Sequence, residues 1–404
     1  MRWFARERSE SPQAAAEKLD RAPRTEPRPE PAPELDAEHG TALGWDAITA
    51  ASAVVYPGQT PHRWVTLVSR AVGGDDPLDL IAVYRATDPQ PHWHYVTYGL
   101  SDVLSAADPP SDLSPALASV ASGFGFELTF RLVDPAAADP DAHPPVWPTT
   151  LLSGLARYVV DTSNVFAPGH FISTHGPLTT SVPTGLVALG FVEDPDLGTI
   201  SAPHGQVRFL QAVGLTADEV DLGSAWAMGS FLDLLVADDE LGAPRGLTDL
   251  ARASIAADPR VRVQVESATA RDGSSIGVLF GEQVSLEADD DQAVLTLSTA
   301  AVPGVARTLP GRIPYGRPLR LVGNDGAVTL RPGPAFAVET STLVLDDDAM
   351  EAFADALDDD PGDHAVPGLP LLLRVVPTAR RPHPDPRPSA PRQLVSSVPT
   401  ARRS

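Results

Sequence analysis

His92 and His94, in the run HWHYVTY, are the first residues of this 404-residue chain whose types and spacing could do chemistry. On a strand, positions i and i+2 face the same way. The two imidazoles could therefore share a zinc ion with His170 or His175 and serve a metal-dependent hydrolase. Nothing nearby reinforces that signal. HExxH is absent, as are Gly-x-Ser-x-Gly, the GxxxxGK[ST] phosphate loop and the Rossmann GxGxxG. Strand histidines set between aromatic residues more often pack or hydrogen-bond than bind metal. With no cysteine in the chain, thiolate nucleophiles, thiolate metal sites and disulfides are excluded. The runs Asp289-Asp290-Asp291 and Asp358-Asp359-Asp360 read as solvated loop charge rather than a calcium site. These motifs predict neither an enzyme nor a cofactor.

The stretch that would position any site is Trp147–Thr174. Pro148 suits the first turn of a helix, where its missing N–H costs nothing. Leu151, Leu152, Leu155, Tyr158 and Val159 then fall on one helical face. Asn164 and the Ala167-Pro168-Gly169 turn end that helix, and His170–Thr174 reads as a strand. Upstream, Trp45–Val55 predicts a short helix. Trp64–Ser69, Leu80–Arg85, His92–Tyr98 and Phe124–Val133 predict strands, the last with Phe124, Phe126, Leu128 and Phe130 on one face. Leu186–Val192 and Gln206–Val213 complete a mixed α/β domain over residues 44–222. Residues 223–260 read as a helical connector, with helices over Ser224–Ala237 and Thr248–Asp258. From Val261 the chain turns to short strands, Val261–Val265 and Ile276–Phe280 first, with a hairpin signal at Asn324-Asp325-Gly326. One helix, Asp346–Asp360, interrupts them, and together they give a second α+β domain over 261–377. Residues 1–43, rich in Pro, Arg and Glu, and the basic stretch 378–404 have little to bury and are expected to be disordered tails. The fold class is thus α/β (α+β), with two mixed α/β domains.

A formal net charge of −23 repels nucleic-acid phosphates and would steer in a basic protein partner. No run approaches the ~18 apolar residues of a membrane span, and the N-terminal MRWFARERSE lacks an apolar signal core. A cytoplasmic location is expected, with neither nucleic acid nor membrane as a partner.

Several of these segments together resemble the suppressor of fused family. They are GGDDPLDLIAVYR (73–85), HWHYVTYGLSDV (92–103), SGFGFELTFRL (122–132), WPTTLLSGLARYV (147–159) and GQVRFLQAVGLTAD (205–218). The second domain is similar more loosely, at ARDGSSIGV (270–278), LPGRIPYGRPL (309–319) and the Asp346–Asp360 helix. The resemblance implies a non-enzymatic clamp that holds a partner's extended segment in a cleft between the two domains, as a strand added to both. Carried over motif by motif, one wall falls on Tyr158, His170, Phe171 and Ile172, and the other on Gly277, Val278 and Phe280. Animal members place an aspartate just before the strand histidine, where it pairs with a histidine of a Gli-type transcription factor. Here Ala167-Pro168-Gly169 precedes His170 with no acid, which argues for another ligand. The composition is similar to bacterial members of the family, some of them proposed as immunity proteins that block a toxin.

Overall fold

The computed structural model describes residues 43–66, 74, 76–101, 121–174, 176–203, 205–237, 242–289, 292–324, 326–378 and 393–395. The chain begins with helix α1 (Leu43–Val55), followed by strands β1 (His62–Val65), β2 (Leu80–Ala86), β3 (His92–Tyr98) and β4 (Ala121–Val133). Helix α2 (Trp147–Thr162), β5 (Phe171–Ser173), β6 (Leu186–Glu193), β7 (Thr199–Ala202) and β8 (Gly205–Thr216) come next. Together with β18 (Gln393–Val395) they build a nine-stranded sheet in the order β18-β1-β2-β3-β4-β8-β6-β5, with β7 paired to β8. The β4–β8 pair is parallel and its neighbours are antiparallel.

Both faces of this sheet are covered, which is why β3 is buried along its whole length and β2 along Leu80–Tyr84. On one face α2 packs Leu152, Leu155, Ala156 and Val159 against Phe126, Leu128, Phe130 and Phe191. On the other, Ile48 and Tyr56 from the α1 side meet Leu80, Tyr84, Val96, Tyr98 and Phe209. Helices α3 (Ala217–Ala225) and α4 (Met228–Ala237) bury Met228, Phe231, Leu232 and Leu235 against Ala188, Val213 and Leu215 of β6 and β8.

The predicted helix Ser224–Ala237 is therefore two helices, broken at Trp226, where ψ is −98°. The predicted helix over Thr248–Asp258 is not formed. Glu219, fully buried at the start of α3, takes Arg252 at 2.6 Å and the Ile255 N–H at 2.9 Å and holds that segment in an irregular path. The predicted strand Val261–Val265 is instead part of α5 (Pro259–Asp272). Its alternation of Val and polar residues is overruled by the ends, since Asp258 caps the helix through the Arg260 N–H and Pro259 occupies the first turn.

The second lobe has two sheets around a separate core of Leu295, Leu297, Leu319, Leu330, Leu343, Phe353 and Leu371. One sheet contains β9 (Val278–Phe280), β12 (Leu319–Val322), β13 (Ala327–Pro332), β14 (Ala337–Glu339) and β15 (Thr342–Leu345), in the order β14-β15-β13-β12-β9. The other is β10-β11-β17-β16, formed by Val284–Ala288, Ala293–Ser298, Leu371–Val376 and Gly362–Ala365. Asp346 caps helix α6 (Asp347–Asp355) by accepting from the Ala349 N–H, as three successive aspartates at a helix N-terminus lead one to expect. Gln393–Val395 lies in a stretch expected to have no structure, yet it pairs antiparallel with β1, Trp64 opposite Leu394.

Candidate functional site

Helix α2 ends at Ser163, a non-glycine residue with φ 59°. The chain then turns back so that Phe166 stacks between two rings, Tyr158 at 5.7 Å and Phe191 at 4.2 Å between centroids. This stack fixes Tyr158, which is 37 % exposed, and Asn164 Nδ2 donates to its hydroxyl at 3.0 Å. Gly169, at φ +85°, completes the turn into β5.

Among the described residues β5 is an edge strand of its sheet. The Phe191 N–H donates to the His170 carbonyl, and the Thr174 N–H donates to the Val187 carbonyl, both on the β6 side. Antiparallel alternation then directs the N–H and C=O of Phe171 away from β6. β9 is, among the described residues, an edge strand of the second lobe and runs parallel to β12, with Leu279 opposite Leu321. The Arg320 N–H donates to the Gly277 carbonyl, and the Gly281 N–H donates to the Val322 carbonyl. The main-chain groups of Val278 and Phe280, between them, therefore point away from β12. The side chains alternate as well: Leu279 packs on the second core, while Val278 is 43 % and Phe280 74 % exposed.

These two edges line one groove of about 1470 Å³. All seven residues singled out from the sequence, Tyr158, His170, Phe171, Ile172, Gly277, Val278 and Phe280, lie along it. Sequence reasoning did not single out the end of the groove made by Phe124 and Phe126 of β4 with Gln206, Arg208 and Leu210 of β8, or the corner at Met228–Ser230. The alternation of QVRFLQAV carries a trace of the first, because Gln206, Arg208 and Leu210 share one strand face. Half-buried His170 has its pKa lowered by burial, partly offset by a Val165 main-chain contact.

The histidine pair of β3 lies elsewhere, on the α1 side. His92 Nδ1 is 2.7 Å from the Gln90 carbonyl oxygen, and burial pushes its pKa down to about 4. His94 is fully buried, with Nδ1 2.7 Å from the Tyr56 hydroxyl and Nε2 in polar contact with Asp194 at 3.0 Å. Burial, with Arg131 nearby, lowers its pKa. Burial alone would raise the Asp194 carboxyl, but His94 and Arg131 against it hold it well below the usual carboxylate range. Arg131 also reaches Asp196 at 2.8 Å. Among the described residues, the acidic or imidazole groups that converge closely enough to share an ion are exposed Asp358, Asp359 and Asp360, and not His92, His94 or His170. His175 lies outside the described residues.

Comparison with known proteins agrees with this fold. The family model described as Suppressor of fused protein matches residues 74–253. The human suppressor of fused homolog is 32 % identical over 290 residues, 67 % of this chain and 56 % of that protein. The mouse homolog is 34 % identical over 250 residues, 58 % of this chain and 48 % of that protein. The chain thus spans about half the length of these curated relatives. The crystal structure of Drosophila Suppressor of Fused shares the fold, with a TM-score of 0.64 and 24 % identity over 83 % of this chain and 97 % of that one. On the family match to its first lobe and the vertebrate similarity along two thirds of its length, the chain belongs to the suppressor of fused family.

Proposed function

We propose that the chain is a non-enzymatic protein-binding module that takes an extended segment of a partner protein into the groove between β5 and β9. The observation that supports this is the pair of strand edges, one from each lobe, whose outward main-chain groups at Phe171, Val278 and Phe280 border the same groove. An added strand gains affinity from such main-chain bonds and specificity from side-chain pockets. Covering Val278 and Phe280 adds about 1.5–3 kcal/mol for each side chain fully buried. The net charge of −23 favours a basic partner at long range, and a basic toxin held inactive by this chain is one partner of that kind.

The test is affinity capture from the native lysate, using the wild type beside a variant carrying Val278→Pro and Phe171→Asp and folded to the same extent. The Val278 N–H faces away from β12, so proline there removes a donor to the added strand without breaking the β9–β12 ladder. A protein retained by the wild type alone supports the groove, and its identity decides for or against a toxin. Equal retention by both baits overturns the placement.

A further inference from the structure

Among the described residues that line the groove, Arg208 is the one side chain that is charged at every physiological pH. It projects from β8 beside Leu210, opposite Phe126 of β4 and Thr199 of β7. Its Nε is shut off from solvent and has no hydrogen-bond partner. No carboxylate of the described residues lies within ion-pair distance of it. Glu193, opposite Leu210 on β6, is engaged with the Thr199 hydroxyl at 3.0 Å. A guanidinium in such a place lacks the anion that its planar fork of donors is built to hold.

We infer that the segment taken by the groove carries an aspartate or glutamate side chain that pairs with Arg208; this rests on the strand-addition reading above. The sign is opposite to what net charge suggests for the partner as a whole. The two act over different ranges. Exposed surface charge is screened within about 8 Å at physiological salt, whereas Arg208 acts at contact, with its Nε already dry. A partner can be basic overall and still present one acid to the groove.

The experiment uses the full chain and a displayed library of random dodecapeptides, each fused at its C-terminus so that no terminal carboxylate is offered. Peptides retained by the wild type but not by Val278→Pro should share one acidic position, and a representative should bind Arg208→Gln about tenfold more weakly or worse. Arg208→Glu should select lysine or arginine at that same position. Arg208→Lys keeps the charge without the fork and should keep the acidic preference, which leaves a readout if the neutral variant folds poorly. Val278-dependent peptides with no acidic position, or with unchanged affinity for a folded Arg208→Gln, overturn this inference and leave the strand-addition reading standing. Failure to retain any Val278-dependent peptide overturns both.

Discussion

Behind β4, the carboxylate of Glu127 accepts four hydrogen bonds, from the Thr97 hydroxyl, the Gly99 and Ser101 amides and the Ser101 hydroxyl, all between 2.6 and 2.9 Å. Two residues along the same face, Thr129 donates to Asp194 and Arg131 pairs with Asp194 and Asp196. Across the molecule, at the groove, Phe171, Val278 and Phe280 turn main-chain groups outward, and Arg208 Nε has no hydrogen-bond partner. Both regions hold polar groups that folding has removed from bulk water at least in part. In the first, the chain supplies the partners of the Glu127 and Asp194 carboxylates from within, with Arg131 Nε the one guanidinium atom of the wall left unpaired. In the second, the partners have been left out. Buried polarity that is satisfied marks structure, and the outward polarity along two strand edges is what the proposed guest strand would satisfy.

The strongest way to break that contrast is Asp194→Ala. It takes from Arg131, at 1 % exposure, the fully buried one of its two carboxylates and leaves it only the 24 % exposed Asp196, and should cost about 3 kcal/mol of stability in urea unfolding. A loss below about 1 kcal/mol would mean that the wall does not depend on its charges. Glu127 sharpens the contrast through pH. Burial pushes its pKa up to about 7 from an ordinary 4.5, against the pull of the bonds from Ser101, Thr97 and Gly99. The folded chain therefore binds more protons than the unfolded chain between those values. This group's contribution falls as pH rises through the window and is level beyond it. Glu127→Gln keeps a carbonyl oxygen for the amides and removes the titration. Its stability relative to wild type should grow by about 3 kcal/mol from about pH 4 to about pH 8, and a difference constant with pH would show that Glu127 does not titrate in the fold. Phe280→Ala should have the smallest effect on unfolding, within about 0.5 kcal/mol, while a peptide selected on the groove loses about tenfold in affinity. A stability loss comparable to that of Asp194→Ala would place Phe280 in the fold rather than at the site.

What was legible in the sequence follows the same division. Periodicity found α2 and the strands β2, β3 and β4 because each buries an apolar face, and the suppressor of fused motifs pointed to Tyr158, the strand His170–Thr174 and Gly277–Phe280, all of which but Thr174 line one groove. Periodicity misread Val261–Val265, where capping by Asp258 and Pro259 outweighs alternation. The polar wall was not legible, since nothing near His94 in sequence announces Tyr56 or Asp194, and a buried Glu127 on an otherwise apolar strand looks like an outward-facing residue. Arg208 was hidden for the same reason: on an alternating strand a charged residue reads as solvated, and only the second lobe turns that face into a groove.

Gly169 and Gly229 meet at the corner where β5 approaches α4, and a Cβ built on Gly169 would lie 3.2 Å from the Gly229 Cα. The aperture there is set by backbone against backbone. Substitutions elsewhere along the lining can alter the shape and charge of the groove without changing how wide that corner stands. The same contact, together with its φ of +85°, makes Gly169 resist exchange, although it presents no side chain to the groove.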